Sequence, residues 1–574
     1  MIIIINSMSR SINRIRPPFA RNISAMAGRK NNTIYYIDDL KGTLNRIDVV
    51  SQENMGIVNH CINDSFQGST ALWVGDDTVQ YAVMNELLTI KIINGEVYII
   101  SRLVLEEVNQ IVGIVHNQNM CFLADRDGLI IKYDANMFKI ESWDMETPIN
   151  SMTLHKYGRE QSLFLLSEMN RSVYVYNLQC KQLFSITVPH EGATSIASIY
   201  HSGVNKSILY ISYVHKTWEI YDNTETEAGN SLNIEIDRKA RNVFIEKLLY
   251  KHKRLTRGNS LSLSNGYRVE FKYFSMLSPR HNVLPELRKL RPNVRMSIPT
   301  NTERQTVVSV NPIGQVYGTV TTDAAGEDII EFDFTGVKLS RERVVFGYKA
   351  VLDLYNIRYM IDQAPFPAEF PNDLINFLRV EKRLDMHRKE LQKIAAKILS
   401  SMSEANRKDI LRVVWTIREY VYDKLEYHYN NRDTSPLQTL KDGEGTCGKY
   451  TELLLGLLRL CGVPCRAVGD YKVPDYKLEY GILHSFCRPD YDHVWIEFYV
   501  PEVGWVPMES SSDNLPGKHN RFFAALPWVN IENSRTQKSM EDVVPDTWKI
   551  IDERFHFSDF FEHEISITVT EELE

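Results

Sequence analysis

A chain of 574 residues, 43% hydrophobic and 24% charged, has the composition of globular protein and the length of about three or four domains. Its formal net charge of −7 excludes a whole-chain electrostatic case for nucleic acid, so partners must be argued locally. Seven cysteines, odd in number and without paired CxxC knuckles, argue against a disulfide framework or structural zinc; no apolar run reaches the roughly 18 to 20 residues that span a bilayer.

The first 37 residues contain Arg10, Arg14, Arg16, Arg21, Arg29 and Lys30 and no acid. That composition suits an organelle transit peptide, or else a disordered leader or an early start codon with Met8 or Met26 as the true start. Residues 1–31 are therefore expected to be a leader. The few cysteines point to the cytoplasm, with a mitochondrion or other organelle as the alternative if the leader targets.

Residues 32–240 read as short β-rich runs between turn residues. An apolar or aromatic residue followed by Asp or Asn recurs as Ile47-Asp48, Ile93-Asn94, Tyr133-Asp134, Tyr176-Asn177 and Tyr221-Asp222, at intervals of 46, 40, 43 and 45 residues. A period of that size matches four-stranded blades, each of which must stack on neighbours to bury its faces. The region resembles a WD-repeat-type β-propeller, although no Trp-Asp pair stands at that register; a pair of β-sandwiches is the alternative. The expected role is a platform for a protein partner. His155, His190 and His201 read as loop residues without a nucleophile nearby.

Residues 241–365 open with a basic stretch, Lys251, Lys253, Arg254 and Arg257, continuing through Arg268, Lys272, Arg280, Arg288, Lys289, Arg291 and Arg295. Solvated linker and strand faces explain it better than nucleic acid, for which no binding fold is visible. Alternating runs at 267–274, 293–298, 305–311, 315–322, 328–334 and 344–352 follow, with turns at Pro312-Ile313-Gly314 and Ala325-Gly326. They predict an antiparallel β-sandwich.

Residues 366–550 predict an α+β domain. Leu391, Ile394, Ala395 and Ile398 mark one helix; Ile410, Val413, Val414, Ile417, Val421 and Leu425 mark a second, with Ser401 and Glu404 as a candidate cap. Next comes Gly443-Glu444-Gly445-Thr446-Cys447-Gly448, running into Leu453, Leu454, Leu457 and Leu458 at helical spacing. Cys447 would open a helix with Thr446 as N-cap, where the dipole lowers a thiol pKa. Residues 465–471 read as a strand. His493, Trp495, Glu497 and Tyr499 alternate along another, which turns at 501–504 and returns to Glu509. A hairpin can thus present a base and an acid to the thiol.

Taken in order, Gly445-Thr446-Cys447, Leu458-Arg459, Gly462-Val463-Pro464-Cys465-Arg466, His493-Val494-Trp495-Ile496-Glu497 and Gly504-Trp505-Val506-Pro507-Met508-Glu509 resemble the signature of the transglutaminase-like superfamily. Arg295-Met296-Ser297-Ile298-Pro299 resembles the β domain preceding that core in many members. Asp542-Val543-Val544-Pro545 and the run 565–569 resemble its closing segment, within a tail of residues 551–574. The resemblance implies a papain-like thiol centre with Cys447 as nucleophile, His493 as base and Glu509 as the orienting acid, where the family usually holds aspartate. Cys447 N–H would serve as an oxyanion donor. His484 is a competing base; Glu497, Trp495 and Trp505 read as strand packing and cleft walls.

The expected protein is a multidomain thiol enzyme acting on peptide or side-chain amides through an acyl-thioester, with hydrolysis preferred over amine transfer and no metal or cofactor. An inactive scaffold of the same fold is the alternative.

Overall fold

The computed structural model describes residues 14–573 apart from 16, 18–19, 21, 30–31, 52–53, 59–65, 158, 189–191, 202–205, 221–233, 255–259, 278–293, 323–325, 338–342, 429–433, 473–482, 486–491, 516–520, 536–549, 553–554 and 557–560. The chain divides into two compact units, one formed by 12–219 with 234–251, the other mainly by 252–573.

Among the described residues the first unit contains five four-stranded sheets. Four are made of consecutive strands, beginning at Ile23–Arg29, Ser69–Val74, Ile111–Asn117 and Ser151–Tyr157. The fifth joins Ala193–His201, Lys206–Ile220 and Ile234–Leu248 to Arg14–Ile15. The leading strands of the five sheets neighbour one another in a closed cycle, which makes the unit propeller-like. Burial follows from that arrangement: Ile111 to Val115 is buried on both faces, whereas the outermost strand of the preceding sheet, Glu96–Val104, is largely exposed.

The sequence period has a local cause. Ile47-Asp48 and Tyr133-Asp134 end the third strands of their sheets, Ile93 ends another, and Asn177 follows a fourth. Asp48 Oδ1 accepts the N–H groups of Val50 and Ser51, both at 2.8 Å. Asp134 Oδ1 accepts those of Asn136 and Phe138 at 2.9 Å. Asn177 Oδ1 likewise accepts from Gln179 and Lys181 at 3.1 and 2.8 Å. A short side-chain acceptor is what these turns into the rim strand require. Tyr221-Asp222 is different: it lies outside the described residues, just past the second strand of its sheet.

Two expectations are corrected here. Arg14–Ile15 and Ile23–Arg29, within the expected leader, are ladder strands, and Met26 is 3% exposed. His155 and His201 are buried strand residues, not loop residues. His190 lies outside the described residues.

In the second unit a long sheet runs in the order Gln305–Gly314, Val344–Met360, Ser260–Leu277, Phe561–Leu573 and Leu483–Ser485. A three-stranded sheet, Val294–Ser297, Asp328–Asp333 and Tyr317–Thr322, accompanies it. Phe346 joins the two, its ring centroid 5.0 Å from Phe332 and 5.1 Å from Phe334. The sandwich is not completed before residue 365: the C-terminal strand pairs along the length of Ser260–Leu277. The strand at Pro312 runs on through Gly314 rather than turning there. Several basic residues sit on strand faces beside acids, as Arg268 beside Asp353 and Arg295 beside Glu331, both at 2.7 Å.

Helices Lys389–Ser401, Ile410–Tyr422, Pro436–Asp442 and Cys447–Leu460 share one apolar core with the sheet Gly504–Met508, Asp492–Val500, Cys465–Lys472, Asn530–Arg535. Asp409, not Ser401, caps the second helix, its Oδ1 accepting from Leu411 N–H at 2.8 Å. Among the described residues no helix is long and apolar enough to cross a membrane.

Candidate functional site

The cysteine is placed by a tight stop and restart. Gly443 ends the preceding helix at φ 73°, a left-handed conformation that a residue without Cβ adopts at least cost. Glu444–Gly445 then pairs with Glu426–Tyr427, and the next helix begins at Cys447. Thr446 occupies the N-cap position, but its side chain makes no capping bond. Cys447 is half-buried at the positive end of a fourteen-residue helix. The other described cysteines are in a different setting: burial pushes Cys121, Cys180 and Cys461 up to about 12 and Cys465 to about 11. Cys61 and Cys487 lie outside the described residues.

His493 stands at the second position of Asp492–Val500 and Glu509 immediately after the return strand Gly504–Met508. The two are buried together, 4% and 1% exposed. His493 Nε2 meets Glu509 Oε1 at 3.0 Å and Oε2 at 2.9 Å. The carboxylate is itself held: Oε1 also accepts the backbone N–H groups of Ser510 at 2.9 Å and Ser511 at 3.2 Å. The additional methylene of glutamate is thus used to fold the side chain back over the amides that follow it. Its reach to the imidazole is intact.

What fixes this segment was barely legible in the sequence. Glu509 carbonyl oxygen accepts Arg418 Nε at 3.1 Å and the Tyr422 hydroxyl at 3.2 Å, both from the helix Ile410–Tyr422. Burial raises the Tyr422 phenol well above its ordinary pKa, keeping it a donor. The fully buried Arg418 and Arg521 flank Asp513 at 2.8 and 3.2 Å, and Phe522 N–H donates to the same carboxylate at 2.6 Å. The one available signal was an arginine at 418, four residues after Val414 on the apolar stripe.

Thr451, one helical turn beyond Cys447, connects the helix to the hairpin. Its hydroxyl donates to Ser510 Oγ at 2.9 Å and lies 3.4 Å from the Val494 carbonyl oxygen. Those residues are the chain neighbours of Glu509 and His493. Residues i and i+4 share a helix face, so this contact sets the cysteine end of the helix beside the histidine strand.

The remaining candidates separate from this centre. His484 belongs to Leu483–Ser485, paired with the C-terminal strand of the long sheet. Glu497 pairs with Arg466 at 2.6 Å, Trp495 is fully buried, and Trp505 carries the Arg466 guanidinium 4.1 Å from its ring centroid. Asp542-Val543-Val544-Pro545 lies outside the described residues. Among the described residues no group of three or more His, Cys, Asp or Glu could hold a metal ion.

Residues 396–510 match the model of the transglutaminase-like superfamily, and this stretch is a transglutaminase-like domain. No curated protein matches the chain. Among solved structures, a candidate cysteine protease of Cytophaga hutchinsonii is similar at 16% identity, covering 52% of this chain and 87% of that one at a TM-score of 0.35. Glutaminyl cyclase of Myxococcus xanthus is similar at 10% identity, covering 35% and 89% at a TM-score of 0.27. Scores this low bear on neither fold nor function.

Proposed function

We propose that the chain is a thiol hydrolase of peptide or side-chain amides, with Cys447 as nucleophile, His493 as base and Glu509 as the group that orients the imidazole. The observation that carries this reading is the buried contact of both Glu509 oxygens with His493 Nε2, on a hairpin joined through Thr451 to the cysteine helix. With Nε2–H donating to the carboxylate, Nδ1 is the nitrogen assigned to the thiol. It takes the thiol proton as sulfur bonds to the substrate carbonyl carbon, and the Cys447 N–H receives the developing oxyanion. The imidazolium returns that proton to the leaving amine as the C–N bond breaks. Water, deprotonated by the same nitrogen, then cleaves the thioester to a carboxylic acid and regenerates the thiol.

The same reading gives the ring of sheets the role of protein-recognition platform. Its support is the rim strand Glu96–Val104, which exposes Tyr98, Ile99 and Ile100 by 49%, 47% and 53%.

The test is alkylation of the full-length protein with iodoacetamide across pH, mapped by mass, beside hydrolysis of a peptide-amide library with and without an added amine. Cys447 is expected to label at least about tenfold faster than Cys461, with a pH midpoint below the ordinary thiol value, and Cys447→Ala to abolish turnover. Labelling no faster than Cys461 leaves the chain as a binding scaffold. Amine incorporation exceeding hydrolysis would make it an acyltransferase.

A further inference from the structure

The sheet that carries His493 has a second feature. An open-mouthed cavity of about 250 Å³ lies against the Arg466, Trp495, Glu497, Trp505, Glu532 and Arg535 side chains, with Arg304 and Tyr359 also in the wall. Its charged groups are largely buried. Arg466 and Glu497 are 10% and 9% exposed, Arg304 and Glu532 2% and 3%, and Arg535 18%. Each glutamate is already engaged: Glu497 by Arg466 at 2.6 Å, Glu532 by Arg304 at 3.0 Å and Arg535 at 3.1 Å. Three guanidiniums therefore face two carboxylates in the buried lining. Glu303, also in the lining, is exposed to solvent, and Glu327, which accepts the Arg535 backbone N–H at 2.8 Å, is not part of it.

Two donors in this wall lack acceptors. Trp495 is 0% exposed and its indole Nε1–H has no hydrogen-bond partner; Arg535 Nε–H is buried and in the same condition. A buried donor left unpaired is destabilising, and both occur in one cavity whose lining carries three guanidiniums and three carboxylates. The Trp505 and Tyr359 side chains, also in the lining, supply apolar contact beside them.

We propose that this cavity is a binding site for a carboxylate-bearing small ligand, its carboxylate accepting from Trp495 Nε1–H and Arg535 Nε–H and its apolar body lying along Trp505. The carboxylate is that of a free organic acid or of a peptide C-terminus, and the two sources are separable. The site does not depend on Cys447 being a nucleophile.

The experiment is isothermal titration of the full-length protein with benzoate, with a short peptide ending in a free carboxylate, and with the same peptide amidated at its C-terminus. Saturable binding of either carboxylate is expected, weakened at least about tenfold in both Trp495→Phe and Arg535→Gln and unchanged in Arg102→Gln on the other unit. A peptide preferred over benzoate identifies a chain end; the reverse identifies a free acid. The proposal is overturned if neither carboxylate binds saturably, if the amidated peptide binds as well as the free acid, or if both variants bind like the parent. A melting midpoint for each variant, within a few degrees of the parent, keeps misfolding from imitating lost binding, and Arg535→Lys gives a second, milder lesion should Arg535→Gln fail to fold.

Discussion

The two units solve the problem of closing a β structure in opposite ways. In the ring, four sheets are built from strands consecutive in sequence, and only the fifth borrows a strand, Arg14–Ile15, from far away. In the second unit the long sheet takes Ser260–Leu277 from its beginning and Phe561–Leu573 from its end, and the candidate site is fixed by bonds spanning tens of residues, such as Arg418 to Asp513. Local construction produces a repeat that can be read along the chain. Long-range construction concentrates buried charge where one segment must be held in one conformation, as between Glu509 and Asp513.

If that contrast is right, the largest effect belongs to the segment held by long-range bonds. Glu509→Gln should lower kcat/KM for amide hydrolysis about 10³- to 10⁴-fold with the fold intact, because the amide can leave the imidazole in the wrong tautomer. Retention of activity within tenfold would remove Glu509 from the centre. Arg418→Met should destabilise the second unit by about 3–5 kcal/mol, leaving Asp513 buried with one guanidinium fewer; scanning calorimetry should show one transition moving and the ring's transition unchanged.

The ring should respond to acid through His155. It is 4% exposed, with Nδ1 at 2.9 Å from Ser198 Oγ, and burial depresses its pKa from 6.5 to about 4. A depressed folded-state value means that the unfolded chain binds the extra proton first. The neutral-histidine contribution is complete above pH 6.5, falls as pH drops from there toward 4, and amounts to about 3 kcal/mol. The difference in urea midpoint between parent and His155→Phe, followed across that window, should show this slope, and a flat difference would contradict it. The smallest effect is at the ring's seam. A Cβ added at Gly28 would lie 1.9 Å from the Ser198 carbonyl oxygen, so Gly28→Ala should cost the first unit about 1–3 kcal/mol without altering Cys447 labelling.

Much of the fold was legible because its signals are short-range. The Asp and Asn of the ring recur since each turn needs a side-chain acceptor, as Asp48 and Asp134 demonstrate. The helix after Cys447 and the His493 hairpin were visible from spacing and alternation, and family resemblance supplied the order that united them. Where the sequence misled, composition had been taken without partners: Arg14 and Arg29 look like a leader until their strands find Glu246 and Thr33.

The sequence by itself determined the period of the ring, the apolar faces of the helices, and the choice of Cys447, His493 and Glu509 as candidates in the second unit. Only the tertiary structure decided how Glu509 reaches the imidazole, that Arg418, Asp513 and Arg521 hold its segment, and that Trp495 and Arg535 face a common cavity. The reason is physical. Periodicity reports which face of one element is buried, whereas a hydrogen bond between buried charges depends on which distant element arrives opposite.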